Sequence, residues 1–302
     1  MNSVQNVPSD VKYLMSSCVV PESTLNLSGV PNELNPEEVN DTYHLHDELG
    51  EGSFGKVLSA TRISDQAAVA LKVADKKHIF NWKILEHGQR VPMEIYLLQR
   101  VRSVNNVAKL LAYYVLKNMY VMVFEKPTFP MSLWSFIRQH SKLEEYLARK
   151  FMGQLTVAMI ECQLHGVTHN DLKTENVVVN MIDNTLKVVD FGAGTIYVRN
   201  LVYRQHYGTK VDLPLEYVRD GWYYPDSATV WSLGVILFDM VNGRRPFASN
   251  QEILKGIYEV EFDKNISNPC KNLIQRCLAP EYCSRPTFND ILKDPWMAQN
   301  TW

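Results

Sequence analysis

The sequence predicts an α+β protein in two lobes: a small β-rich one with one main helix, then a larger, mainly helical one. Three observations carry that reading. Apolar and polar residues alternate through much of the stretch from residue 43 to 75, the period of half-buried strands. After Pro127 the apolar spacing changes to that of helices. A chain of 302 residues, 46% hydrophobic and 21% charged, also has ample material for a substantial core.

Residues 1 to 42 mix Ser, Asn, Pro and Glu with no sustained period and are expected to be an irregular leader. From Tyr43, "YHLHDELGEGSFGKVLSATRIS" and "AAVALKVA" read as β-strands parted by turn residues at Ser64 and Asp65. "VPMEIYLLQRV" shifts to helical spacing, and "MYVMVFEKP" is an apolar strand closed by Pro127. Beyond it, "SLWSFIRQH" and "LARKFMGQLTVAMIECQLHGV" place apolar residues at helix intervals. "SATVWSLGVILFDMVNG" is apolar on nearly every face, hence a buried helix ending at Gly243, and "NPCKNLIQRCLAP" and "TFNDILKDPWM" complete the helical part.

Composition excludes several classes. A net charge of −2 gives neither the basic excess of a nucleic-acid binder nor an acidic tail. Cys18, Cys162, Cys270, Cys277 and Cys283 are odd in number and form no CxxC pair, which favours free thiols in a reducing compartment. The opening MNSVQNVPSD lacks a charged start followed by an apolar run. The apolar stretch from Val230 stops at about 12 residues, short of a membrane span. The expectation is a soluble intracellular protein, cytoplasmic or nuclear or both.

Three constellations carry chemistry. In "LGEGSFGKV", Leu49, Gly50, Glu51, Gly52, Ser53, Phe54, Gly55, Lys56 and Val57 join two strands, and the glycines let backbone N–H groups approach a polyphosphate. A plain hairpin would read the same. A dinucleotide fold is disfavoured, because "KVLSATR" continues as strand where that fold needs a helix. Lys72 in "AVALKV" would ordinarily be a solvated strand residue, but Glu94 in the following helix can pair with it and aim its ammonium at phosphates. In "HNDLKTEN" followed by "LKVVDFG", Asp171 can accept a hydroxyl proton and Lys173 can offset charge on a moving phosphoryl group. Asn176 and Asp190 offer hard oxygens to magnesium. A polar loop beside a strand is the plain alternative, and it does not explain these spacings downstream of the glycines and the lysine.

With these motifs the sequence resembles the eukaryotic protein kinases from Tyr43 to Trp296, on the serine/threonine side because of "DLKTEN". Within them it is similar to the Pim kinases in "RVPMEI", "FEKP", "DFGAGT", "VWSLGVILFDMVNG" and "RPTFNDILKDPWM". The resemblance implies a two-lobed protein kinase fold over residues 43–297, with an N-lobe 43–124, a hinge 125–128, a C-lobe 129–297 and a short tail 298–302. It implies ATP in the cleft under residues 49 to 57, with Mg2+. Glu125 would offer a carbonyl to adenine, Ala70 and Val57 would sandwich the base, and Phe124 would be the gatekeeper. Pro127 lacks the N–H that most kinases present there. Glu216 would pair with Arg285, and Thr209 would sit beside Asp171. Protein substrates bearing serine or threonine are the implied partners, acted on by a monomer, without nucleic acid or membrane.

The departures matter too. Asn170 stands where the family's arginine reads activation-loop phosphate, so activity without loop phosphorylation is expected. Thr195, Tyr197 and Tyr203 remain candidate phosphosites. Thr229 replaces an aspartate that orients the catalytic loop in most kinases but is also missing from Pim-type ones. Ser132 and Ser135 stand where aspartates usually follow the hinge, and Arg244 and Arg245 lie near another acidic patch, which weakens the expected preference for basic peptides. The alternatives are a pseudokinase scaffold with weak or no phosphotransfer, and a small-molecule phosphotransferase. The first has to explain an intact set of phosphate, metal and base residues; the second leaves the Glu216 and Arg285 pairing unexplained.

Overall fold

The structure is a computed structural model that describes residues 37–52, 55–85, 88–208 and 212–298. The chain divides into two compact units. One runs through Arg102 and resumes over Ala108–Thr128; the other holds Ser103–Val107 and the residues from Phe129 onward. Ser103–Val107 thus fold with the helical unit, although the sequence order places them inside the small one. The reason is local pairing: Asn106 O accepts from Val188 N at 2.7 Å, and Val107 forms a parallel bridge with Val188.

The first described element of the small unit is a helix, α1 (Glu37–Thr42), where the sequence reads as irregular leader up to residue 42. Six residues are too few to show a period, and helices this short are held by packing rather than propensity. Val39 supplies it, fully buried in the cluster that also contains Tyr43, Leu58, Leu71 and Val121. Strands β1 (Tyr43–Gly52), β2 (Gly55–Arg62) and β3 (Ala68–Asp75) follow, then a short hairpin of β4 (Trp82–Ile84) and β5 (Arg90–Pro92). Helix α2 (Met93–Arg100), β6 (Leu110–Val115) and β7 (Met119–Glu125) complete the unit. The main sheet is antiparallel in the order β1-β2-β3-β7-β6. Strand alternation sorts its two faces. Leu58, Ala60, Val69, Leu71, Val73, Val121 and Val123 pack into the core cluster on one face. Val57, Ala70, Lys72, Met122 and Phe124 take the other, since Val57 pairs with Lys72, Lys72 with Met122, and Ala70 with Phe124.

The helical unit begins with β8 (Pro130–Ser132) and α3 (Leu133–Gln139), whose N-cap is Ser132. Its further helices are α4 (Glu145–Leu164), α5 (Leu215–Asp220), α6 (Pro225–Asn242), α7 (Asn250–Lys255), α8 (Asn268–Cys277) and α9 (Phe288–Leu292), of which α5, α7 and α9 are only one or two turns long. Between α4 and α5 lie β9 (Val167–Thr168), β10 (Val177–Asn180), β11 (Thr185–Val188) and β12 (Thr195–Ile196); β10 pairs with both β8 and β11, and β9 with β12. Helix α6 is buried on almost every side, as its apolar run requires, with Pro225 at its first turn and Gly243 in a left-handed cap at φ 71°. Glu145 ties the end of the chain to α4 by accepting from Ser267 N, Ser267 Oγ and Trp296 Nε1 at 2.6, 2.8 and 2.6 Å.

Candidate active site

The predicted site residues fall in both units. In the small unit, β1 ends in Leu49, Gly50, Glu51 and Gly52, and β2 begins with Gly55, Lys56 and Val57; Ser53 and Phe54 lie outside the described residues. Gly52 pairs with Gly55. Gly55 has φ 140°, and a Cβ there would fall 1.8 Å from Val73 O, so only glycine fits. Lys56 is held near Glu48 at 3.4 Å.

On the sheet face opposite the core, Lys72 Nζ donates to both oxygens of Glu94, at 2.6 and 2.8 Å. Each residue is 6% exposed. A buried pair of this kind costs several kcal/mol to break, because the surviving partner is left as an uncompensated charge. Ala70 and Val57 flank Lys72 on the same face, and Phe124 pairs with Ala70. Glu125 ends β7 opposite Val69, and its carboxylate accepts from Lys109 N at 3.1 Å.

In the helical unit the catalytic-loop candidates converge. His169 is 1% exposed and wired on both ring nitrogens: Nε2–H donates to Val189 O at 2.9 Å, while Nδ1 accepts from Asp171 N at 3.2 Å. Those partners require the neutral ring, and burial holds its pKa below the ordinary histidine value. Asp171 Oδ2 accepts from Lys173 Nζ at 2.8 Å and from Asn176 Nδ2 at 3.0 Å. Asn176 also donates to Asp171 O at 2.8 Å. Because Val177 pairs with Val188, and Val189 N donates to Asn176 O at 2.9 Å, the strands bring Asn176 beside the residue that precedes Asp190. Asp190 itself has φ 63°, a conformation aspartate tolerates, and its Oδ1 accepts from Gly192 N at 3.2 Å.

The two departures are occupied by other contacts. Asn170, at φ 61°, donates through Nδ2 to Ala193 O at 3.2 Å, and so ties the loop to the segment after Gly192 without any charge. Thr229 turns its hydroxyl back to Pro225 O at 2.8 Å. A cavity of about 20 Å³ borders it, lined among others by Asn170, Asp171, His206 and Asp212.

His206 and Asp212 were not singled out in the sequence. His206 lies between the rings of Tyr217 and Tyr223, accepts on Nδ1 from Gly208 N at 3.1 Å and bonds the Asn170 backbone, with burial lowering its pKa. Gly208 packs so tightly there that a Cβ would stand 2.8 Å from Asp171 Oδ1. The Asp212 side chain is 8% exposed, with Arg245 Nη1 3.3 Å away. Its buried Oδ2 makes no hydrogen bond, and burial pushes its pKa up to about 6. A lone acid in "KVDLPLE" gives no hint of this, since its environment is assembled from residues distant in sequence. Thr209 lies outside the described residues.

Glu216 and Arg285 meet as the sequence suggested. Arg285 donates to the two carboxylate oxygens at 3.0 and 2.6 Å, to Ser227 O at 3.1 Å and to Ala279 O at 3.0 Å, and its guanidinium lies 4.8 Å above the Trp231 ring. Ser132 and Ser135 are turned to local use: Ser132 Oγ accepts from Ser135 N at 3.1 Å and donates to Ser135 Oγ at 2.9 Å.

Known proteins share this arrangement of sequence. A family model for the protein kinase domain matches residues 43–297. Serine/threonine-protein kinase pim-2 of Danio rerio is 36% identical over 274 residues, covering 88% of this chain and 87% of that protein. Serine/threonine-protein kinase prk-2 of Caenorhabditis elegans is 35% identical over 261 residues, 86% of this chain but 59% of the relative. A carbon catabolite-derepressing protein kinase of Candida albicans is 32% identical over 273 residues, 88% of this chain and 43% of its own length. The chain thus spans most of the first relative and roughly half of the other two. With the domain match running from Tyr43 to Met297 and relatives of this kind, the chain belongs to the eukaryotic protein kinase superfamily, and its domain is that of an ATP-dependent serine/threonine kinase with Pim-like kin.

Proposed function

We propose that this chain transfers the γ-phosphoryl group of ATP to serine or threonine hydroxyls of proteins, as a Pim-like kinase that works without phosphate on its activation segment. The observation that carries the reading is the convergence of Lys173 and Asn176 on one oxygen of Asp171. In the transfer, the acceptor oxygen bonds to the γ-phosphorus as the bond to the bridging oxygen breaks, and that electron pair leaves with ADP. Asp171 takes the hydroxyl proton. Lys173 keeps the Asp171 carboxylate oriented and offsets charge on the moving group. Lys72, fixed by both oxygens of Glu94, serves the α- and β-phosphates, while the glycines of residues 50 to 55 leave backbone N–H groups for phosphate oxygens.

The donor set fits magnesium. With the Asn176 amide nitrogen turned to Asp171, its carbonyl oxygen and the Asp190 carboxylate are hard ligands of the number magnesium takes from protein when phosphates and waters supply the rest. Asn176 and Asp190 would hold the ion, which would supply positive charge against the phosphates of the nucleotide.

Independence from loop phosphate draws on the internal anchoring of the activation segment. Tyr197 OH donates to Asp226 at 3.0 Å, and Tyr203 OH donates to Ile196 O at 2.8 Å while accepting from Val198 N at 3.1 Å. Tyr203 and Tyr223 exchange backbone bonds at 2.9 and 3.0 Å, and Asn170 holds Ala193. Four tethers, none of them needing a cationic side chain, stand where an arginine and a phosphate would otherwise be needed. A reducing compartment, cytoplasmic or nuclear, suits Cys162, Cys270, Cys277 and Cys283, none of them in a disulfide.

The test is transfer of labelled γ-phosphate to mixed serine and threonine peptides, with Lys72→Met and Asp171→Asn alongside. Transfer by the wild type that both variants lose supports the enzyme; no transfer by the wild type supports the scaffold. Phosphatase treatment should leave the rate intact, and a rate abolished by it overturns the phosphate-independent reading.

A further inference from the structure

Three carboxylates stand close to the catalytic loop, and each already has an arginine of the same chain. Arg245 Nη2 donates to Glu175 Oε1, while its Nη1 lies 3.3 Å from Asp212 Oδ2. Arg138 Nη1 donates to Asp239 Oδ1 at 2.9 Å and to Gly243 O at 2.8 Å. Thr174 Oγ1 lies 3.4 Å from Asp239 Oδ2, which joins the second pair to the loop. Asp212 is near enough to Asp171, Lys173 and Glu175 to feel the charge of all three. An extended peptide advances about 3.3 Å per residue, so a substrate residue two or three positions from an acceptor at Asp171 reaches on the order of 7 to 10 Å, into this cluster.

We propose that Arg245 is a specificity-determining residue whose guanidinium fills, from within the chain, the place between Glu175 and Asp212 that a cationic substrate side chain would take. The kinase therefore phosphorylates serine or threonine in segments without arginine or lysine close to the acceptor. This deepens the kinase reading and rests on it.

The physical reason is competition. A planar guanidinium here donates to Glu175 and sets its charge beside the Asp212 carboxylate, and its rigid fork suits that role better than an ammonium. An arginine fixed on the loop after α6 has an effective concentration of at least the order of millimolar, which micromolar peptide cannot match. The site is half-closed as well: the Arg245 side chain is 22% exposed, against 40% for Glu175. With Arg245 in place, an incoming arginine meets carboxylates whose charge is already offset, and it would have to shed its own hydration for little return. Ser132 and Ser135 add no charge, because both hydroxyls are used in the cap of α3.

The experiment compares two serine peptides that differ only in carrying arginine or alanine at the second and third positions before the acceptor. It reads the ratio of their kcat/KM values within each enzyme, so that any general loss of activity cancels. The wild type should give a ratio near or below one. Arg245→Ala and Arg245→Gln should raise it about tenfold or more by freeing Glu175 and Asp212, and adding Glu175→Gln to Arg245→Ala should bring it back down. A wild-type ratio above about ten overturns the proposal even if neither variant folds, as does an unchanged ratio in a folded variant. A wild type that phosphorylates neither peptide is the different failure, that of the kinase reading itself.

Discussion

Asp212 shows at the scale of one residue how function and stability pull apart. Burial raises its pKa from 3.8 to about 6, and Arg245 offsets only part of that. The sign follows from linkage: the fold binds this proton more tightly than the unfolded chain does. The stability it confers is therefore full below the unfolded pKa near 4 and is lost as pH rises through about 6. Two pH units correspond to about 3 kcal/mol at most. Asp212→Asn should raise the thermal midpoint at pH 8, with a gain that shrinks towards pH 4; a midpoint lowered at pH 8 would contradict the argument. Asp171 is the opposite case, legible from the chain because Lys173 and Asn176 follow at fixed short spacing. Asp171→Asn should lower kcat on the order of 10² to 10⁴-fold while the protein still binds magnesium ATP, as measured by steady-state rates and nucleotide titration. Glu94→Gln should cost activity too, through the Lys72 ammonium left without its bidentate partner at 2.6 and 2.8 Å. His206 and Asp212 were not legible, because neither belongs to a spaced set and their neighbours come from elsewhere in the sequence.

Among the elements, the long periodic ones are readable and most of the short ones are not, α3 and α9 being short helices that "SLWSFIRQH" and "TFNDILKDPWM" do indicate. The strands around Lys72, and α2, α4, α6 and α8, lie where alternation or helical spacing places them, to within a few residues. The hairpin of β4 and β5 and the helices α1, α5 and α7 were not predicted, since three to six residues cannot display a period. Three of these are held by specific contacts: Val39 of α1 in the sheet core, Trp82 of β4 donating to Ile79 O at 2.7 Å, and Ser249 capping α7. Helix α6 depends on a close approach that its apolar run does not reveal. A Cβ on Gly234 would lie 2.7 Å from Cys277 Cβ and 3.0 Å from Leu278. Gly234→Ala should therefore destabilise the helical unit by about 1 to 3 kcal/mol, visible as a lower urea midpoint; an unchanged midpoint would show that α8 yields more freely than its packing suggests.

On the scale of the whole molecule, each unit is secured by contacts between residues far apart in the chain. In the small unit Tyr114 OH donates to Tyr43 OH at 2.8 Å, joining β6 to β1 through the core. In the helical unit Glu216 and Arg285, both essentially buried, hold the end of the activation segment to Ser227 at the start of α6 and to Ala279. Removing one partner leaves the other as a buried, uncompensated charge. Arg285→Ala should cost about 3 to 5 kcal/mol by calorimetry, and a loss below about 1 kcal/mol would contradict the argument.

By itself the sequence determined the two-part architecture, the strands and long helices, and the identities of the phosphate, metal and base candidates, because periodicity and motif spacing are local properties of a chain. Only tertiary structure decided that Ser103–Val107 fold with the helical unit, that Asn170 is tied to Ala193, and that Arg245 stands between Glu175 and Asp212. Burial and charge pairing are set by which distant segments meet, and residue spacing along one segment does not encode that.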